Sequence, residues 1–117
     1  MKEIDLIQYI KGPAGNRNVQ RTEWAPVLKR LDAGKIDPAQ ISSASELLNQ
    51  ALLLANNEKV SSSWLVAKCK ELATADATPP GYFNTNMRAT LIKLWRDGKI
   101  KLFLLNDDTR QVRWGLV

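Results

Sequence analysis

At Asp97-Gly98 the hydrophobic period of the chain changes. Upstream, Met87, Leu91, Leu94 and Trp95 share one side of a helix that begins at Asn84 or Thr85. Downstream, Ile100, Leu102 and Leu104 alternate with Lys101, Phe103 and Leu105, and after the turn cluster Asn106-Asp107-Asp108-Thr109 a second run follows, Val112, Trp114 and Leu116. Period two on both sides of a polar turn predicts a β-hairpin. A hairpin alone is marginal in water, so this one must pack on helices. The expected fold class is therefore α+β, mostly helical with a C-terminal β-hairpin.

The remaining elements read as helices. Ile4, Leu6, Ile7 and Ile10 form an N-terminal stripe, a strap over the core or a dimer seam. Gly12 to Asn16 is a linker; no Gly-Lys-Ser/Thr follows it, so it is not a phosphate cradle. A second helix is expected from Thr22 as N-cap, with Pro26 in its first turns and Trp24, Val27, Leu28 and Leu31 as its buried stripe, ending at Gly34. Asp37-Pro38 predicts one short turn, and Ser43-Ala44-Ser45-Glu46 is a capping box for a central apolar helix ending at Asn56-Asn57. Lys59-Val60-Ser61 reads as a strand stub. A helix with Leu65, Cys69 and Leu72 on one face follows, then a connector to Asn84 holding Pro79-Pro80-Gly81, Tyr82 and Phe83. The segments Asp32-Ala33-Gly34-Lys35-Ile36 and Asp97-Gly98-Lys99-Ile100 are similar helix exits rather than a repeat.

Composition narrows the chemistry. The chain has 117 residues, one Cys and no His. This excludes disulfide frameworks, Cys/His zinc sites and imidazole bases, and no paired acids stand at a catalytic spacing. The expectation is a non-enzyme without cofactor or metal. Asp107 and Asp108 read as a turn rather than as metal ligands. No apolar run is long enough for a membrane span, and the N-terminus carries acids within its apolar stretch, so the expected location is cytoplasmic and nucleoid-associated. The net charge is +5. Residues 1–58 hold seven Lys/Arg and seven Asp/Glu, whereas residues 59–117 hold ten and five. A one-sided basic field is the footprint of a polyanionic partner.

The order helix 44–57, stub 59–61, helix 62–74, helix 85–97 and hairpin 99–117 resembles the winged helix-turn-helix DNA-binding superfamily. Leu91, Leu94 and Trp95, the exit Gly98-Lys99-Ile100 and the aromatic return Trp114 carry the likeness. It divides the chain into an N-terminal helical extension, residues 1–41, and a winged-helix domain, residues 42–117. The connector from about Ala75 to Asn84 departs from the pattern, being longer than the usual three- or four-residue turn.

The resemblance implies a DNA-binding protein, a transcriptional regulator, that places helix 85–97 in the major groove of double-stranded DNA. Thr85, Asn86 and Ala89 would face base edges, Arg88 bases or phosphates, and Lys93 and Arg96 phosphates. Lys99, Lys101, Arg110 and Arg113 of the wing would hold the backbone, and Ser62 and Ser63 would offer hydroxyls and helix N-terminal amides to a phosphate. The blander readings are a solvated basic face for Lys93 and Arg96, a helix cap for the serines, core positions for the tryptophans and an inert thiol for Cys69. The alternative function is a winged-helix protein-interaction adaptor of a prokaryotic or phage assembly, with a homodimer or a protein partner on the N-terminal half.

Overall fold

A computed structural model describes residues 2–12, 19–73, 83–105 and 108–117, without the side chains of residues 19–22 and 108–111. The elements run β1 (Lys2–Ile4), α1 (Leu6–Ile10), α2 (Val19–Asp32), α3 (Pro38–Leu54), α4 (Ser62–Leu72), α5 (Thr85–Arg96), β2 (Ile100–Leu105) and β3 (Asp108–Leu116). The fold is α+β, with five helices among the described residues and an antiparallel sheet in the order β1-β2-β3. Val60 extends that sheet by one residue: it exchanges two backbone hydrogen bonds with Trp114, at 2.8 and 2.7 Å.

Local chemistry explains most of the boundaries. Asp5, Asp37, Ser61 and Asn84 cap α1, α3, α4 and α5 with side-chain oxygens. Gly34 and Gly98 stop α2 and α5 in the left-handed region, at φ 70° and 74°. In both exits the following lysine N–H donates five residues back, Lys35 to Arg30 O and Lys99 to Leu94 O. Asn56 and Asn57 stop α3 in the same left-handed region, as the paired asparagines predict.

The N-terminal third departs from the sequence reading. Ile4 lies in a strand, and only Leu6–Ile10 is helical. α2 begins at Val19 rather than Thr22, which puts Pro26 inside the helix, on its exposed side. α3 begins at Pro38, so Ser43 and Glu46 are interior residues of one 17-residue helix and not a capping box. Asp37 already accepts from Ala39 N at 2.9 Å, and propagating a started helix needs no second cap. The expected division at residue 42 therefore falls within α3. β1 pairs with β2 through Lys2↔Leu104, Glu3↔Phe103 and Ile4↔Leu102, and Leu6, Tyr9, Ile10, Trp24, Val27 and Leu28 belong to the same buried cluster as the rest of the core. The expected linker falls outside the described residues from Pro13 onward; so do the connector from Thr74 to Tyr82 and the turn at Asn106-Asp107.

Trp114 is the hub of the core. Its indole stacks on Trp24 with centroids 5.7 Å apart and planes 19° apart, and Phe83 meets both rings edge-on at 6.0 and 6.1 Å. Trp24 is thus bound to β3 through the ring system, which makes α2 a core element.

Candidate nucleic-acid interface

α5 is an interior helix for most of its length. α3 covers one side: Asn86 Nδ2 donates to Gln40 Oε1 at 2.9 Å, and the hydroxyl of the buried Thr90 lies 3.5 Å from Ile41 O. α2 covers another, held by two ion pairs. Arg88 Nη2 lies 2.7 Å from Glu23 Oε2, and Arg96 Nη1 lies 2.8 Å from Asp32 Oδ1. Both pairs advance in the same direction along the two helices, so α2 and α5 run parallel and end at the same end of the molecule.

This packing places the expected base-reading residues. Ala89 is 0 % exposed and cannot touch a thymine methyl group, and Ile92 beside it is also 0 % exposed. Thr85 is half-buried, Asn86 is engaged with Gln40, and the Arg88 side chain is only 13 % exposed. In the helix that the resemblance assigns to the major groove, Ala89 is closed off and Arg88 largely so, while Thr85 and Asn86 stay half-buried. The physical reason is that Ala89 and Ile92 interrupt the polar side of the wheel. That side is wide enough to be buried by α2, whose Trp24, Val27 and Leu28 supply the apolar surface.

The other expected residues separate. Ser62 is buried, and its hydroxyl accepts the indole N–H of Trp114 at 2.9 Å, so it serves the core and not a phosphate. Ser61 is the N-cap, with Oγ accepting from Trp64 N at 3.1 Å, and Ser63 is exposed on the first turn of α4. On the outer side of the sheet Lys101 Nζ stands 3.7 Å from Glu3, and Arg113 donates to the carbonyl of Val112 at 2.9 Å. Phe103, across the ladder from Arg113, has Lys59 Nζ 4.8 Å from its ring centroid. Arg110 lies in β3, with its side chain outside the described residues. Burial pushes the Cys69 thiol up to about 11, which fits an inert core cysteine.

Lys93, Arg96 and Lys99 remain exposed, and the parallel packing gives them company. Lys29 and Arg30 occupy the last turn of α2 as Lys93 and Arg96 occupy that of α5, and Lys35 follows Gly34 as Lys99 follows Gly98. Part of this is local chemistry, since cations favour the negative end of a helix dipole. The acids near this end include Asp32, Asp37, Asp97 and Glu46, which lines one hollow with Lys99. Asp37 caps α3 and Asp97 holds Lys93 at 3.1 Å. The hydrogen bond from Arg96 holds the Asp32 carboxyl below the usual aspartate range, against a small opposing effect of burial, and the charges of Arg96 and Lys11 add to it. The sum is a basic end built from two matched helix exits. The charge count by halves conceals it, because Glu3, Asp5 and Glu58 cancel Lys29, Arg30 and Lys35 on paper while lying elsewhere in the chain. The one sequence signal for it was the pair of exits sharing Gly-Lys-Ile.

Among the described residues no group of three metal-ligating side chains comes together, and no helix is long and apolar enough to cross a membrane. Comparison with protein-family models, with curated proteins and with solved structures gives no match.

Proposed function

We propose that this protein binds double-stranded DNA through the sugar-phosphate backbone, using the basic end where α2 and α5 stop. The observation that carries the reading is that α2 and α5, joined at their ends by the Asp32–Arg96 pair, stop together, with Lys29, Arg30 and Lys35 on one exit and Lys93, Arg96 and Lys99 on the other. Phosphate contacts dominate protein–DNA affinity and need cations rather than a base-reading set. The order α3, Val60, α4, α5, β2, β3, with Val60 bridged to β3, supports a winged-helix relationship for residues 38–117. The position of α2 changes how such a fold would be used. Freeing the N-terminal half of α5 would expose Trp24, Val27 and Leu28, at a cost of about 5 kcal/mol or more. The reading therefore favours recognition of DNA charge and shape over recognition of sequence, as in a structural or assembly protein of a DNA-handling complex.

Fluorescence anisotropy with a labelled duplex over a salt series tests it. Three to five phosphate contacts give a slope of log K against log salt of about −3 to −4.5. Lys35→Ala and Lys99→Ala should each make the slope shallower by about 0.9 and leave the melting temperature unchanged. Absence of salt-dependent retention at low ionic strength would remove DNA as the partner.

A second reading, the protein-interaction adaptor, is favoured by Leu53 and Leu54 on the last turn of α3, which are 62 % and 59 % exposed. For the homodimer version, sedimentation of the wild type and of Leu53→Glu decides. A concentration-dependent dimer that the substitution abolishes supports it, and a monomer at every concentration rejects it.

A further inference from the structure

Resting on the DNA-backbone reading above, we propose that Asp32 regulates this site: its carboxylate is a built-in competitor that occupies Arg96 until a backbone phosphate displaces it. Arg96 is the only one of the six exposed cations in the two exits whose described partner lies on the neighbouring helix. Its Nη1 donates to Asp32 Oδ1 at 2.8 Å, while Lys93 is held within its own helix by Asp97. Neither member of the Asp32–Arg96 pair is sequestered, since the side chains are 53 % and 39 % exposed. A surface pair of this kind is weak, and water or a phosphate oxygen competes for it on nearly equal terms. A guanidinium binds carboxylate and phosphate with the same planar donors, so the two ligands contend for one group rather than for a shared field.

The second pair along this seam shows the contrast. Arg88 and Glu23 are more drawn in, at 13 % and 33 % exposed, and hold α2 on α5. The Asp32–Arg96 pair lies at the open end, where the two helices stop. Trp24, Val27 and Leu28 hold α2 in place without it. Its exchange for a phosphate therefore needs no movement of the helix, only a side-chain rotation of Arg96.

The test is a double-mutant cycle read by duplex anisotropy over a salt series. Asp32→Asn should tighten duplex binding about threefold at low salt, the size of a released surface pair. The salt slope should stay that of the wild type, because Arg96 holds the same phosphate in both complexes. Arg96→Gln should make the slope shallower, and adding Asp32→Asn to Arg96→Gln should change nothing further. If Asp32→Asn has the same effect in the Arg96→Gln background, the aspartate acts only through its field and the competitor assignment falls, while DNA binding stands. If Asp32→Asn weakens binding, the carboxylate orients Arg96 and the proposal is overturned in sign. A wild type that binds no duplex at any salt concentration removes the function reading itself, which the cycle in binding variants leaves intact.

Discussion

Replacing Glu23 with alanine tests the claim that α2 seals α5. Arg88 is 13 % exposed and its Nη2 rests on Glu23 Oε2 at 2.7 Å, while its Nε makes no hydrogen bond among the described residues. Without the carboxylate, a guanidinium is left in the seam with no counter-charge. Breaking a fully buried pair in this way costs about 3–5 kcal/mol. Glu23 is 33 % exposed, so water reaches part of the vacated position, and the expected cost falls to about 2 kcal/mol. For a chain of this size, that lowers Tm by about 8 °C. Arg88→Met removes the charge that is harder to solvate and leaves the one that is easier, so it should cost about half as much. Glu23→Leu with Arg88→Met removes both charges and should return to within about 1 kcal/mol of the wild type. Urea unfolding followed by circular dichroism, with an unchanged m value, measures all three. A Glu23→Ala cost below about 0.5 kcal/mol, or one below that of Arg88→Met, would mean that α2 does not close over Arg88, and the base-reading face of α5 would be open again.

Ser62→Ala should cost about 1–3 kcal/mol, because it leaves the buried indole N–H of Trp114 without its acceptor; thermal denaturation reads this directly, and a neutral result would mean the bond at 2.9 Å is not made. Gly98→Ala should cost about 1 kcal/mol by strain alone, since φ is +74° and nothing lies within 4 Å of an added Cβ, and Gly98→Asn should cost less; equal losses in the two variants would refute a purely conformational origin. The depressed Asp32 carboxyl makes the Asp32–Arg96 contribution fully present above the usual aspartate range, and it is lost as pH falls through the lowered folded-state value. A carbon-detected titration should find Asp32 protonating at lower pH than an ordinary aspartate, and Arg96→Gln should move it back up.

Some features need only neighbours in sequence. The helix exits at Gly34 and Gly98, the asparagine stop of α3, the N-caps Asp37 and Asn84, and the period-two runs of β2 and β3 all follow from local sterics and hydrogen bonding, and the sequence determined them. The start of α3 did not follow in the same way, because Asp37-Pro38 and the Ser43–Glu46 pattern both signal a helix N-terminus. Once Asp37 nucleates the helix, propagation overrides the second signal. The pairing of β1 with β2 was also hidden, since Lys2–Ile4 is too short to show a period.

What surrounds α5 was decided only by the tertiary structure. Periodicity shows which face of a helix is apolar but not how many partners that face meets. Trp24 stacked on Trp114 fixes α2 against the sheet, and with Val27, Leu28 and the ion pair Arg88–Glu23 it closes the seam beside Ala89 and Ile92. The same packing lays α2 parallel to α5, so two similar basic exits far apart in the chain come to one end of the molecule. Charge adds in space and not along the sequence, and for that reason the basic end became visible only in the folded molecule.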